Sequence, residues 1–381
     1  MKKIFLTTIT LLSMASASVF GMYGVDTDWI FFLTHGNQFR ARLDQLGFTL
    51  GNDTIKGTFG FDNNTSYGGA YGGLLADNDG THYSFVPSIS MGLAYTSSLI
   101  SVGVGYNATV GSHTQKYNGK TEPKTVNKSA HTPVLVLNAM DNAFRMAIPI
   151  QVYVDNDKFD GGGYDNKMAV SVDSQFRYYT GLDALPQVRL YLRYGLYQNE
   201  AKVTKDAEKV KTKYGESFGF DFRLYFGSMV EEVALQPLVR LAYDGALGNY
   251  HANTRIQAVK AMNGDYATVS YGGGVWNLTL MTGLGLTANS DIVSLYLEPQ
   301  LGLQVTRKAP TTSPDAGGAG APTPVAIARD SYRLAYNVYA EIYITPLKNL
   351  EWYFEAQLGS DTGTIFGFNG TTGITWYLPA L

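Results

Sequence analysis

Between Ser294 and Val305 the chain reads SLYLEPQLGLQV. Leu295, Leu297, Pro299, Leu301, Leu303 and Val305 take every second place, and Ser294, Tyr296, Glu298, Gln300 and Gln304 stand among the others. Strict alternation predicts a strand with one apolar and one polar face. The same rhythm recurs in ISVGVGYNATV (Ile100 to Val110), VRLYLRYGLY (Val188 to Tyr197), FGFDFRLYF (Phe218 to Phe226), YRLAYNVYAEIYI (Tyr332 to Ile344) and LEWYFEAQL (Leu350 to Leu358). In Phe218 to Phe226 the aromatic and leucine side chains fall on one side, and Asp221, Arg223 and Tyr225 on the other. The whole chain yields about fourteen such strands, each near the length that a tilted strand needs to cross a bilayer.

The connections alternate too. Short turns are predicted at Thr96-Ser97-Ser98 and near Met140, Leu182, Met229, Asn289 and Leu347. Long polar loops are predicted near 62–83, 111–130, 156–166, 199–214, 245–272, 307–331 and 361–370, with a first strand near 53–61. Short turns on one side and long loops on the other describe an up-and-down antiparallel barrel in an outer membrane. A soluble sandwich also alternates. Against it stand the length of the strands, polar faces rich in Arg, Glu, Gln, Tyr and Gly, and aromatics near strand ends on the apolar face. Tyr95, Tyr178, Tyr243, Trp276, Tyr332 and Trp352 are the rings expected at the lipid interface. Pro237 and Pro299 each delete a ladder donor and suit neither architecture well.

Composition agrees with an exported barrel. Of 381 residues 42 are glycine, 27 tyrosine and 19 phenylalanine; only 16% are charged and the formal net charge is -3. That balance excludes nucleic acid as a partner. With no cysteine, disulfides, thiolate metal sites and a thiol nucleophile are excluded. Lys2 and Lys3 precede IFLTTITLL and the small residues Ala15-Ser16-Ala17-Ser18, the layout of a cleaved signal peptide over residues 1–21. Residues 22–48 then form an N-terminal segment, either packed on the periplasmic rim or plugging the lumen, and 49–381 the barrel. Within that segment NQFRARLDQLG (Asn37 to Gly47) predicts a short helix, with Phe39, Leu43 and Leu46 at helical spacing, Asn37 as cap and Gly47 as stop.

YGVDTDWIFFLTHGNQFRARLDQLGFTLGNDTIKGTFGF (Tyr23 to Phe61), and LTHGNQFRARLDQLGF within it, resembles the opening of the variable surface proteins of the spirochaete Brachyspira, formerly Serpulina. The remainder is similar in length, tyrosine and glycine content and strand–loop rhythm. The resemblance implies a surface-exposed outer-membrane antigen, one of several variants. Its partners would be outer-membrane lipid and, on the outside, host antibodies or a host surface. The family brings no catalytic or binding residues with it.

Catalytic chemistry is not expected, nor a metal or cofactor. The five histidines form no motif, and neither a nucleophile elbow nor a zinc helix occurs. Asp155, Asp157 and Asp160 in DNDKFDGGG miss the calcium-loop spacing and read as a solvated acidic turn. KVTKDAEKVKTK (Lys202 to Lys213) reads as a solvated loop helix, and TTSPDAGGAGAPTPVA (Thr311 to Ala326) as a coreless loop. The polar strand faces carry the remaining signal. Arg177, Arg189, Arg193, Arg223 and Arg240 come from consecutive strands, as do Glu298, Glu341, Glu351 and Glu355. In an up-and-down barrel these become a basic and an acidic wall lining the lumen. A diffusion pore with a charged lumen is therefore the alternative to a display protein. Local pairing of the same charges, or pairing with Arg40, Arg42 and Asp44, would instead fill the barrel.

Overall fold

The computed structural model describes residues 28–42, 45–63, 87–116, 123–159, 162–230, 233–248, 254–258, 274–308, 329–360 and 367–379. A 3-10 turn at Asp28–Phe31 leads into β1 (Gln38–Arg42), β2 (Gln45–Gly51), β3 (Ile55–Asn63), β4 (Pro87–Tyr95), β5 (Ile100–Lys116) and β6 (Pro123–Ala139). Then come β7 (Phe144–Lys158), β8 (Tyr164–Leu182), β9 (Leu185–Lys202), β10 (Val210–Tyr225), β11 (Ser228–Val230) and β12 (Val233–Ala246). The last are β13 (Trp276–Asn289), β14 (Val293–Lys308), β15 (Arg329–Leu347), β16 (Leu350–Gly359) and β17 (Gly367–Tyr377). Neighbours pair antiparallel, and β17 pairs with β1 from Gln38↔Tyr377 to Arg42↔Gly373, which closes the ring. Closure is what lipid demands, since an open edge would leave backbone N–H and C=O groups unsatisfied in hydrocarbon.

β10 and β11 both pair with β12, so they form one interrupted strand and the barrel has sixteen staves. Proline explains the interruption. The β10 ladder stops at Tyr225↔Leu238 and β11 resumes at Ser228↔Leu235, leaving the break opposite Pro237. Phe226 still donates to the Pro237 carbonyl at 2.7 Å, but Pro237 has no N–H to return. Pro299 sits at a second gap, where the β13–β14 register skips from Gly283↔Gln300 to Leu286↔Leu297.

Sixteen staves correct the expected fourteen, and the missing pair is β1 and β2. Of the stretch expected as a helix over Asn37 to Gly47, residues 38–42 are instead strand β1 and residues 45–47 the start of strand β2. Gln38, Arg40 and Arg42 are buried while Phe39 and Ala41 alternate with them. Five residues with this spacing satisfy periods of 2 and 3.6 almost equally, and barrel closure decides between them. The barrel thus begins at Gln38 rather than residue 49. Residues 1–21 lie outside the described residues.

Facing follows the alternation. Leu301 is 55% exposed on the outer surface and its neighbour Gln300 is 4% exposed inside. Short turns gather at one end, at Asn52–Thr54, Thr96–Leu99, Met140–Ala143, Asp183–Ala184, Ser290–Ile292 and Lys348–Asn349. At the other end several expected loops are shorter than the sequence suggests. β5 and β6 stay paired to Lys116↔Pro123, β7 and β8 to Lys158↔Tyr164, and β9 and β10 to Ala201↔Val210. KVTKDAEKVKTK is accordingly a turn between two strands, not a helix. Beyond the membrane both faces of a hairpin are wet, so its period leaves no hydrophobic trace in the sequence. Thr311 to Ala326 lies outside the described residues.

Candidate functional site: the lumen and its rim

The inner faces of β4 to β7 near the short-turn end are scooped out by small residues. Gly92, Ala94, Gly103, Gly105 and Ala147 turn inward there, with Val134 and Val136. Trp29, Ile30, Phe31, Phe32 and Leu33 fill the recess and are all buried. A Cβ on Gly92 would come within 2.8 Å of the Trp29 ring, and one on Gly105 would overlap it. Those glycines are a matter of room for an indole, not of backbone freedom. Trp29 and Phe32 pack edge to face with centroids 5.8 Å apart. Of the two placements open in the sequence, rim or lumen, the segment takes the lumen.

Polar clasps hold it in place. Lys56 Nζ donates to the Leu33 carbonyl at 2.8 Å and the His35 carbonyl at 2.7 Å. Asn37 accepts from the Gly51 amide at 2.7 Å and donates to the Pro379 carbonyl at 2.8 Å. His35 is buried beside Phe31, and desolvation, then Arg40, Lys56, Arg145 and Arg42, hold its pKa well below 6.5. It is therefore neutral in the folded chain. Because unfolding releases a histidine that protonates more readily, stability is full above the unfolded value of about 6.5 and falls as pH drops below it, by at most about 1.4 kcal/mol per pH unit. His35→Gln should flatten that slope in refolding titrations between pH 7 and 5. An unchanged slope would show that the histidine is already solvated.

A second segment enters from the opposite end. Residues 254–258 belong to the β12–β13 connection, and Ile256 and Ala258 are buried against Ala130, Tyr153, Ala169 and Tyr197. The Ile256 amide donates to Ser217 Oγ at 2.8 Å and the Ala258 amide to Ser171 Oγ at 2.9 Å. Arg255 pairs with Asp173 at 2.6 Å. Gly195 makes the shelf, since a Cβ there would overlap the Ile256 backbone. Glycine without positive φ in a strand was the one available sequence signal for this insertion.

The residues expected to form the two walls are buried or half-buried, and much of their charge is spoken for. Asp221, fully buried on β10, accepts from Arg223 at 2.8 Å and Arg240 at 2.9 Å. Arg193 lies 3.6 Å from Asp221, 3.5 Å from Asp173 and 3.3 Å from Asp244. On the acidic wall the partners are hydroxyls and an amide. Tyr296 and Gln300 donate to Glu298, Tyr339 and Tyr343 to Glu341, and Tyr377 to Glu351. Glu355 stands directly opposite Glu341. Arg42 reaches across Gly373 to lie 4.3 Å over the Tyr353 ring, and Arg40 shares a row with Thr375 and Glu351. Arg145 on β7 belongs to the basic wall and was missed, although the alternation FRMAIPIQV marks its inward position. Asp155 and Asp157 also turn inward; Tyr153 and Lys167 contact Asp155 at 3.1 and 3.7 Å.

Outside, Tyr95, Tyr178, Tyr332 and Trp352 are exposed on the outer face, and Tyr243 and Trp276 are half-buried there. Trp352 donates to Thr372 at 2.9 Å, and Arg307 lies 5.7 Å over Trp276. Trp376 is a further outward ring that the sequence reading passed over. Among the described residues no helix is long and apolar enough to cross a membrane.

A closed antiparallel ring, an apolar outer belt carrying aromatic rings and a polar, filled interior define an outer-membrane β-barrel. The chain belongs to the Serpulina hyodysenteriae variable surface protein family, whose model matches residues 2–377. No curated protein matches it. Among solved structures it is similar to the translocator domain of autotransporter NalP from Neisseria meningitidis, at 14% identity over 74% of this chain and 90% of that one, with TM-score 0.33. The beta domain of a Bordetella autotransporter, Brka, is 12% identical over 71% and 97%, with TM-score 0.31. CdiB from Acinetobacter baumannii is 10% identical over 90% and 59%, with TM-score 0.35.

Proposed function

We propose that this outer-membrane surface protein is an antigen in which the barrel is a closed anchor and the long outward loops are the working part. The observation that carries the reading is that the chain fills its own lumen from both ends, with Trp29–Leu33 at one end and Ile256 and Ala258 at the other. Internal pairing of Asp221 with three arginines supports it, because charges committed to one another do not guide a solute. In this reading the protein performs no catalysis. It meets lipid through its belt, and host antibodies or a host surface through its loops.

The test is conductance of the full chain in a planar bilayer. No steady conductance is expected from it. A variant lacking residues 22–36, which leaves β1 intact, and residues 254–258 as well should conduct. A stable open level from the full chain would favour the diffusion pore instead. Display has its own test: a tag within Thr311 to Ala326 should bind antibody on intact cells, and a tag at Thr96-Ser97-Ser98 should not. The opposite labelling would invert the topology.

A further inference from the structure

The inward arginines of the basic wall are not scattered. Arg145, Arg177, Arg189, Arg223 and Arg240 stand directly opposite one another across β7, β8, β9, β10 and β12. Directly paired residues sit about 4.5–5.5 Å apart at Cα, and like charges so placed repel. Asp221 answers Arg223 and Arg240. No described carboxylate forms an ion pair with the other three, although Glu298 acts on Arg189 through space. Arg145, Arg177 and Arg189 are 6%, 3% and 8% exposed and form no ion pair with a described residue.

Their polar contacts are few. Arg145 Nε donates to the Asn142 carbonyl at 3.0 Å and Arg189 Nη2 to Gln187 at 3.1 Å. Arg177 makes no hydrogen bond to a described residue. Arg145 Nη1, Arg177 Nε and Nη1, and Arg189 Nε are buried donors without a described acceptor. What the three do have is aromatic cover: Phe31 lies 4.3 Å from Arg177 and 5.4 Å from Arg145, Tyr179 4.9 Å from Arg145, and Tyr225 4.5 Å from Arg189. A ring occupies the face of a guanidinium, whereas its N–H groups point out along the edge. Stacking therefore orients the three side chains and leaves their edges unanswered. Three adjacent buried cations with no carboxylate in contact are costly, and an anion held between them lowers that cost.

We propose that Arg145, Arg177 and Arg189 form a binding site for an oxyanion of the inorganic phosphate class, held inside the lumen under the Phe31 cover. A tetrahedral dianion matches guanidinium forks from two or three sides, which a spherical halide does not. The row faces the lumen, so a free oxyanion and not a lipid headgroup is the ligand. Asp26 and Asp28 precede the plug in sequence, and a carboxylate of the chain itself is the competing occupant.

The experiment is unfolding of the full refolded chain in detergent, in chloride buffer and in phosphate buffer of matched ionic strength. The unfolding midpoint should rise with phosphate and saturate, as expected for a ligand that binds only the folded state. Arg177→Met should lose that rise, and Arg307→Met, on the outer face, should keep it. In phosphate-free chloride Arg177→Met should fold and be at least as stable as the native chain, because it removes an unanswered charge. Three results would overturn the proposal: no phosphate-specific rise in the native chain, an equal rise in Arg177→Met, or an Arg177→Met that is less stable or unfolded without phosphate. The last would mean that the site already holds a carboxylate of the chain.

Discussion

Replacing Trp29 with alanine should cost about 3–5 kcal/mol, the range for a buried large aromatic whose cavity cannot collapse. Collapse is blocked here because one side of the cavity is the sheet itself. Gly92 and Gly105 have no side chains to move inward, and their backbones are fixed by ladders to each other, to Thr58 and to Val134. A ceiling also applies. Once the loss exceeds the free energy that docks residues 28–35, the segment leaves the recess and further damage costs nothing more. The barrel should then remain folded with its short-turn end open. Urea titration in detergent would show the drop in stability, and limited proteolysis the release of residues 28–35. If Trp29→Ala lost less than about 1 kcal/mol, the segment would not be docked as described, and the closed-anchor reading would fall with it.

The fold was readable where lipid imposed a rule and obscure where it did not. SLYLEPQLGLQV alternates because hydrocarbon touches one face and water the other, and β14 follows it from Val293 to Lys308. Past the interface that constraint ends, which is why the continued pairing of Lys211 with Glu200 could not be seen in KVTKDAEKVKTK. β1 was hidden by brevity. QFRAR supports either period, and its strand identity comes from β17, more than three hundred residues away. The lumen was legible in its first layer only. Inward positions can be enumerated from alternation, which is how Arg177, Arg223 and Glu298 are expected inside; the structure has Arg177 and Glu298 buried and Arg223 half-buried. Their same-strand partners follow from that alternation, since Tyr296 and Asp221 stand two residues from Glu298 and Arg223 on the inward face, but the pairing of Asp221 with Arg240 is set by the β10–β12 register and could not be inferred. The recess for Trp29 has a weak signature after all, in the inward run Gly92, Gly103, Gly105. Without knowing which side chain fills it, that run reads as unremarkable strand glycine.

Arginine at Leu301 and arginine at Gln300 test the facing of the barrel with neighbouring residues. Leu301 is on the outer face, opposite Tyr336 and Thr282 in the adjacent strands. It stands among Leu303, Leu280 and Leu334, all exposed outward. A guanidinium there must enter hydrocarbon, at about 2–4 kcal/mol near the midplane. Gln300 faces inward and donates to Glu298 at 2.6 Å. An arginine in its place keeps a donor for the same carboxylate and adds an opposite charge, so the expected cost is about 1 kcal/mol, the scale of one exchanged hydrogen bond. The two substitutions introduce the same side chain one residue apart on one strand. Differences in unfolded-state effects therefore largely cancel, and what remains is the side of the sheet. Refolding titrations into lipid vesicles should separate them by at least about 1 kcal/mol, with Leu301→Arg the weaker. Equal penalties, or a larger one at Gln300, would mean that Leu301 does not touch lipid and that the apolar face of β14 has been assigned to the wrong solvent.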